Sequence, residues 1–281
     1  MVNYNGDILE DTNANITITN RGFAYGDALF ETLKVVHGKI LFWEDHYFRL
    51  MASMRIIRME IPMEFTLEYL EEEILKLVNS SNLQDKTLRI KLTVFRKEGG
   101  LYTPDKNDVS YIITSKEIDN DFYQVNDDDY IVDLYKDHYI SPSLLSTLKS
   151  NNRLINIIGG VYAKENNLDN CLLLNTDKHV VEALNANLFL VKGNVIKTSP
   201  LSSGCLKGVL RKQLMEIIDS IPELTLEDSP ISPFELQKAD ELFLTNVITG
   251  IQPISQYRKK KFDNKIAKEL LAKLNVKVRL S

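Results

Sequence analysis

Between Leu88 and Val94 the chain alternates apolar Leu88, Ile90, Leu92 and Val94 with Arg89, Lys91 and Thr93. Side chains on an extended backbone point to opposite faces in turn, so this period predicts a strand with one buried face. Residues 109–114 read as a second strand. Upstream, Tyr47, Leu50, Met51, Met54 and Ile57 recur at steps of three and four and predict a helix over about 43–58. Leu67, Leu70, Ile74 and Leu77 do the same behind Thr66, whose hydroxyl suits a helix N-cap. An antiparallel sheet carrying helices is the expected result.

Residues 115–129 turn polar and acidic. Asn126-Asp127-Asp128-Asp129 lacks the glycine and terminal glutamate of a calcium loop, so the stretch reads as a linker and no metal is expected. Beyond it, strands are expected at 131–134, 171–174 and 187–191, with a helix over about 153–165. Lys192-Gly193-Asn194 is a hairpin turn leading into Val195-Ile196. Ser232-Pro233-Phe234-Glu235 is a capping box with proline at the first helical position, so a short helix starts there. No repeat or low-complexity segment occurs. The fold class is α+β in two unequal parts: a smaller domain at 1–115, a linker at 116–130 and a larger domain at 131–281.

A chain of 281 residues that is 44% hydrophobic can bury a large core. Its net charge of -5 argues against nucleic acid, because phosphate affinity needs clustered cations that release counterions. The main basic run, Lys259-Lys260-Lys261, reads as a solvated turn. Two cysteines, Cys171 and Cys205, make no disulfide framework and fit a reducing compartment. The N-terminus shows no targeting pattern, and no apolar run approaches a membrane span. A cytoplasmic protein with no membrane partner is expected.

The chemistry concentrates in a few motifs. Arg21-Gly22-Phe23-Ala24-Tyr25-Gly26-Asp27-Ala28-Leu29-Phe30-Glu31, followed by His46-Tyr47-Phe48-Arg49-Leu50, resembles the N-terminal signature of the class IV aminotransferases. These are the pyridoxal-phosphate enzymes of fold type IV: branched-chain aminotransferase, D-amino-acid aminotransferase and aminodeoxychorismate lyase. The resemblance covers essentially the whole chain with its motifs in order. It implies two α/β domains of the D-amino-acid aminotransferase-like architecture, pyridoxal 5'-phosphate as cofactor, a small-molecule amine substrate and a homodimer.

Residue by residue, the resemblance implies a complete set. Leu148-Lys149-Ser150-Asn151-Asn152-Arg153-Leu154 matches the segment whose lysine joins the cofactor covalently. Lys149 is the expected catalytic residue, since a lysine held in a pocket loses charge stabilisation and its neutral amine becomes a nucleophile and base. A solvated surface role is the ordinary alternative for any one lysine; the apolar entry and helical exit favour the first. Glu182, before Asn187-Leu188-Phe189, matches the glutamate that pairs with the pyridinium nitrogen and keeps the ring an electron sink. Arg49 matches the phosphate-binding arginine of the first motif, a planar fork suited to oxyanions. Gly204-Cys205-Leu206-Lys207-Gly208-Val209-Leu210-Arg211 resembles the second phosphate segment, with the Val209 and Leu210 amides at a helix start. Asn187 and Asn246, the latter ending Glu241-Leu242-Phe243-Leu244-Thr245-Asn246, complete the cofactor set. Phe30, Arg96 and Arg153 are the expected substrate contacts, with Lys97 a further candidate; solvated roles stay open for the three cations.

Some positions depart from the family. Ala186 and Val247 stand where hydroxyl residues are usual, Leu210 replaces threonine, and Ala28 replaces a frequent glycine. Phosphate binding must then lean on Arg49, main-chain amides and Ser202 or Ser203. For the reaction, Asn152-Arg153-Leu154 and Arg96-Lys97-Glu98-Gly99-Gly100-Leu101-Tyr102-Thr103-Pro104 resemble the aminodeoxychorismate lyase pattern. Leu101 and Thr103 fall near the arginine and histidine with which D-amino-acid aminotransferases trap a carboxylate. The implied activity is release of 4-aminobenzoate and pyruvate from 4-amino-4-deoxychorismate, a step of folate synthesis. The alternatives are an amino-acid aminotransferase and, from the lost hydroxyls, a cofactor-less binding protein on the same fold.

Overall fold

The computed structural model describes residues 1–126 and 128–280; Asp127, in the acidic run read as a linker, and Ser281 lie outside them. The chain groups into two compact units: Met1–Asp121 with Lys149–Asn152, and Phe122–Leu148 with Arg153–Ser281. Each is described by itself.

The first unit is built on strands β1 (Val2–Tyr4), β2 (Asp7–Leu9), β3 (Ala28–Val36), β4 (Lys39–Ile40), β5 (Thr87–Arg96) and β6 (Val109–Glu117). They form an antiparallel sheet in the order β2-β1-β6-β5-β3-β4. The expected alternation in β5 holds: Leu88, Ile90, Leu92 and Val94 are fully buried, and Arg89, Lys91 and Thr93 lie on the opposite face, half-buried. β6 runs on to Glu117, into the stretch read as a linker. After a short helix α1 (Arg21–Tyr25) come the two expected helices, α2 (Trp43–Ile56) and α3 (Leu67–Ser80). Thr66 caps α3 by accepting from the Tyr69 amide at 3.1 Å. The buried side of α2 differs from the apolar stripe: Tyr47 and Ile57 are only half-buried, while His46, Arg49 and Ser53 are buried beside Leu50, Met51 and Met54. The reason lies in β3, where Glu31 shares a face with Leu29, Leu33 and Val35 and meets α2.

The second unit contains β7 (Ile131–Ile140), α4 (Leu154–Glu165), β8 (Asn170–Asn175), β9 (Val180–Ala183), β10 (Asn187–Lys192), β11 (Val195–Thr198), α5 (Val209–Asp219), β12 (Thr225–Asp228), α6 (Pro233–Lys238), β13 (Glu241–Asn246), β14 (Gly250–Ile254), β15 (Gln256–Tyr257), β16 (Lys260–Lys261) and α7 (Lys265–Leu280). Its mixed ten-stranded sheet follows the order β12-β11-β10-β9-β8-β7-β15-β16, and β13 pairs with both β10 and β14. The hairpin through Gly193 forms as expected, with Lys192 opposite Val195. Both halves of the Ser232–Glu235 capping box are present. Val132, Leu134, Leu172, Leu188, Leu242, Leu244 and Ile254 lie in one continuous core, while Cys171 belongs to a second cluster with Tyr135, Ala163 and Leu173. The run expected as a solvated turn is partly strand, Lys260 and Lys261 pairing with Tyr257 and Gln256. Among the described residues no helix is long and apolar enough to cross a membrane.

Residues 149–152 belong with the first unit although they lie some thirty residues beyond its last strand, between two stretches of the second unit. Phe30 donates its amide to the Lys149 carbonyl and Asn151 donates to the Ala28 carbonyl, each at 2.9 Å. Leu29 and Ser150 form an antiparallel bridge, so a fragment of strand covers the edge of β3. A division by contiguous chain does not anticipate this, because the pairing is long-range.

Candidate active site

In the first unit the strand fragment on β3 sets the direction of Lys149. Its Nζ lies 4.4 Å from the centroid of the Phe30 ring, within cation–π range. Asn152 donates through Nδ2 to the Gly26 carbonyl at 3.5 Å. Gly26 has φ of +65°, and a Cβ there would lie 2.8 Å from Asn152 Oδ1. Glycine is therefore needed both for the turn and for the approach of the lysine segment.

On the other face of β3, Glu31 Oε1 accepts from Arg49 Nε at 2.8 Å, Oε2 accepts from Arg49 Nη2, and Oε2 lies 2.7 Å from His46 Nδ1. Burial by itself raises the Glu31 carboxyl, but the Arg49 charge and the hydrogen bonds from His46 and Arg49 outweigh it and bring it down to about 2. Burial likewise pushes the His46 imidazole down, against the pull of Glu31; the nearby Arg49 and Lys149 charges push the same way. Both effects favour the neutral imidazole, and its Nε2 is buried with no hydrogen-bond partner among the described residues. Lys149 and Phe30 are brought together on one side of β3, Arg49 with Glu31 and His46 on the other, and the Lys149 charge is felt at His46.

In the second unit Glu182, in the fully buried β9, accepts through Oε2 from the Leu206 amide at 2.8 Å. Asn187 donates through Nδ2 to the Leu206 carbonyl at 3.0 Å. The Lys207 amide donates to the Thr147 carbonyl at 3.2 Å, two residues before Lys149. A Cβ on Gly208 would overlap Asn187 Oδ1, so any larger residue there must displace the Asn187 amide from this loop. α5 then starts at Gly208 with no side chain capping it. The first amides of a helix have no intrahelical partner, so those of Val209 and Leu210 are the donors available to an anion here, with the positive end of the helix dipole behind them. Leu210 is buried in the helix face, which accounts for an apolar residue at this position. Ser202 and Ser203 sit in the preceding 3-10 turn, where the Ser203 carbonyl accepts from Asn175.

Three expected residues are placed otherwise. Arg96 is buried and points its guanidinium at Asp27 Oδ2 (2.9 Å), the Ile57 carbonyl (2.8 Å), the Arg58 carbonyl (3.1 Å) and Asn107 Oδ1 (2.5 Å). It acts as a buried clamp instead of a carboxylate receptor, because those acceptors engage both ends of its fork. Asn246 turns its Oδ1 back to the amides of Ile248 and Thr249, closing the turn after β13. Arg153 donates through Nη2 to the Leu148 carbonyl and so brackets the lysine segment. Periodicity does not single out Glu31, His46 or the Leu206 amide. The available signal is a carboxylate at an apolar phase of β3 and a histidine and arginine three apart on the buried side of a helix.

The residues present fit pyridoxal phosphate: an amine on an ordered segment, a buried carboxylate, and an uncapped helix start behind a glycine against which Asn187 packs. Residues 28–257 match the family described as amino-transferase class IV, and the chain belongs to that family, a pyridoxal-phosphate-dependent enzyme group. This sets aside the cofactor-less reading. The chain is 26% identical over 273 residues to a putative branched-chain-amino-acid aminotransferase of Methanocaldococcus jannaschii, covering 97% of this chain and 93% of that one. It is 26% identical over 259 residues to a D-alanine aminotransferase of Bacillus licheniformis, covering 90% and 86%. Among solved structures it is similar to a branched-chain aminotransferase from Thermoproteus uzoniensis (TM-score 0.88, 22% identity, 97% and 92% covered). A 4-amino-4-deoxychorismate lyase from Pseudomonas aeruginosa superposes with a TM-score of 0.83 at 26% identity, with 98% of each chain covered. Fold type IV and its cofactor follow; the individual activity does not.

Proposed function

We propose that the protein is a 4-amino-4-deoxychorismate lyase. The observation that carries this is the lysine segment, in which Asn152 and Arg153 directly follow Lys149-Ser150-Asn151 in the lyase order, Asn152 bonding Gly26 and Arg153 bonding Leu148. The similarity over 98% of a solved lyase supports it. An amino-acid aminotransferase is the second reading, favoured by the similarity to the Methanocaldococcus jannaschii protein.

Bound pyridoxal phosphate supplies an electron sink that makes a C–H bond next to an amine ionisable. Lys149 provides the amine that holds the cofactor and, when released, takes the proton from the substrate carbon bearing nitrogen through Nζ. Returning that proton to the departing three-carbon group, as the substrate ring aromatises, yields 4-aminobenzoate and pyruvate with no other reagent consumed. Glu182, held by the Leu206 amide, is the carboxylate that would pair with the pyridine nitrogen and keep it protonated. The Val209 and Leu210 amides would take the phosphate oxygens in the second unit, and Arg49, its fork fixed by Glu31 in the first unit, is the proposed cationic contribution to the same anion. Phe30 packs over the Lys149 amine and shields it from water. We further propose a homodimer: the first turns of α4 leave Leu154, Ile157 and Val161 at 68%, 62% and 52% exposure, an apolar stripe one subunit leaves uncovered.

The test is incubation with aminodeoxychorismate and, separately, with amino acids plus 2-oxoglutarate. Turnover of the first is expected; turnover of the second alone replaces the lyase with the aminotransferase. Lys149→Ala is expected to abolish activity and the absorbance of lysine-bound cofactor, and a variant retaining both would remove Lys149 from the mechanism.

A further inference from the structure

The cluster of Glu31, His46 and Arg49 holds one unpartnered polar atom. Glu31 Oε2 takes two contacts, the Arg49 Nη2 donor and His46 Nδ1 at 2.7 Å. An ionised carboxylate only accepts, so the neutral His46 ring carries its proton on Nδ1 and keeps a lone pair at Nε2. That lone pair is buried, the residue being 1% exposed, and no donor meets it among the described residues. A buried acceptor without a donor costs stability, and the few such groups in folded proteins call for a reason other than stability.

The cluster also lacks positive charge. Glu31 already neutralises Arg49, and a neutral imidazole adds nothing. The charged groups that act on the ring are Glu31 on β3, Arg49 one turn along α2 and Lys149 on the strand fragment; Glu31 favours a second proton on the ring, while burial, Arg49 and Lys149 oppose it. Arg49 is the opposing charge that a ligand can cancel. An anion drawn to its guanidinium offsets that repulsion and adds an attraction of its own, and the two side chains share a single carboxylate oxygen. One unit charge at about 7 Å in an effective dielectric of about 20 changes a proton affinity roughly fiftyfold. That is enough to carry a histidine across neutrality, because its ordinary value lies close to it.

We propose that His46 takes up a proton at Nε2 when the phosphate of the cofactor binds at Arg49, so that the cluster gains the second positive charge a dianion needs. The proton comes from solvent and returns to it when the anion leaves, with no covalent bond changed. His46 is a positioning residue, acting through Glu31 and Arg49 and touching no reacting atom. The inference rests on the assignment of Arg49 to the phosphate and is independent of whether the reaction is elimination or transamination. The loaded form binds one proton more, so affinity for the anion rises as pH falls, by at most about tenfold per pH unit.

The test uses the full-length, cofactor-free protein and sulfate, which stays doubly charged over the whole range and contributes no proton of its own. Imidazole signals are followed by nuclear magnetic resonance from about pH 5.5 to about pH 8.5, the range in which histidine titrates, with and without saturating sulfate. Of the four histidines, His37, His138 and His179 are assigned by substitution with asparagine and His46 by remainder. Without sulfate the His46 ring is expected to be neutral at pH 7 with its proton on Nδ1. With sulfate its titration is expected to move up by at least about one pH unit, and sulfate is expected to bind about fivefold more tightly at about pH 6 than at about pH 8. His46→Asn keeps an N–H for Glu31 but has no proton to gain, and is expected to lose that pH dependence; the wild-type titration decides the matter even where this variant does not fold. A His46 titration that is the same with and without sulfate, a neutral ring with its proton on Nε2, or undiminished pH dependence in His46→Asn overturns the proposal. If sulfate binding is lost in Arg49→Gln while His46 of wild type stays neutral, proton uptake alone is overturned. Sulfate binding untouched by Arg49→Gln, or absent from wild type, overturns it together with the assignment of Arg49 to the phosphate.

Discussion

The Glu31–Arg49–His46 cluster gives the most quantitative expectation. Glu31→Gln keeps the volume of the side chain but removes the charge that Arg49 faces. The carboxyl sits at about 2 in the folded protein against an ordinary value of 4.5. At about 1.4 kcal/mol per unit, its ionisation contributes about 3 kcal/mol to folding at neutral pH. Removing one partner of a buried pair costs about 3–5 kcal/mol by an independent route, since the guanidinium is left uncompensated. A carboxyl whose folded value is depressed stabilises while ionised: the contribution is whole above pH 4.5, declines as pH falls, and is gone below about 2. The assay is urea unfolding of the cofactor-free protein, so that bound ligand adds nothing. Trp43, the single tryptophan, lies buried in the helix that carries His46 and Arg49 and reports the transition by fluorescence. At pH 7 Glu31→Gln is expected to lose about 3 kcal/mol, and the gap to wild type is expected to close between pH 4.5 and 2. A loss below about 1 kcal/mol, or a gap that does not change across that window, refutes the assignment of Glu31 as the ionised anchor of Arg49.

Two further variants probe the loops. Gly208→Ala forces Asn187 away from the Leu206–Gly208 loop and is expected to weaken cofactor binding at least tenfold in an equilibrium titration with pyridoxal phosphate, with the unfolding transition changed far less; unaltered affinity would show that the cradle is not formed by this loop. Gly26→Ala combines a left-handed backbone with a contact on Asn152 and is expected to cost about 1–3 kcal/mol and to alter the absorbance of cofactor on Lys149; a spectrum like wild type would uncouple this turn from the lysine segment.

Local features of the fold are readable along the chain. The alternation in β5, the Thr66 cap, the Gly193 hairpin and the Ser232–Glu235 capping box all depend on residues within four positions of one another. α7, which the sequence reading did not single out, carries the same kind of signal in Ala267, Leu270, Leu271, Leu274 and Val278. β3 is harder to read. Both of its faces are largely buried, with Glu31 and Lys34 among its apolar residues, so neither strict alternation nor a plain apolar run results. The candidate site divides the same way. The order of the motifs around Lys149, Glu182 and Arg49 identifies the family and its cofactor, but Arg96 looks as suited to a substrate carboxylate as any exposed arginine until its acceptors are seen.

The resemblance of the ordered motifs around Arg49, Lys149, Glu182 and Gly208 to the class IV aminotransferases, then, was enough for the class of chemistry. What folding added are the long-range pairings: Arg49 on Glu31 across 18 residues, the Leu206 amide on Glu182 across 24, and Lys149 laid along β3. No local pattern encodes them, since each forms only when separate elements bury their polar groups against one another and every buried donor must find an acceptor.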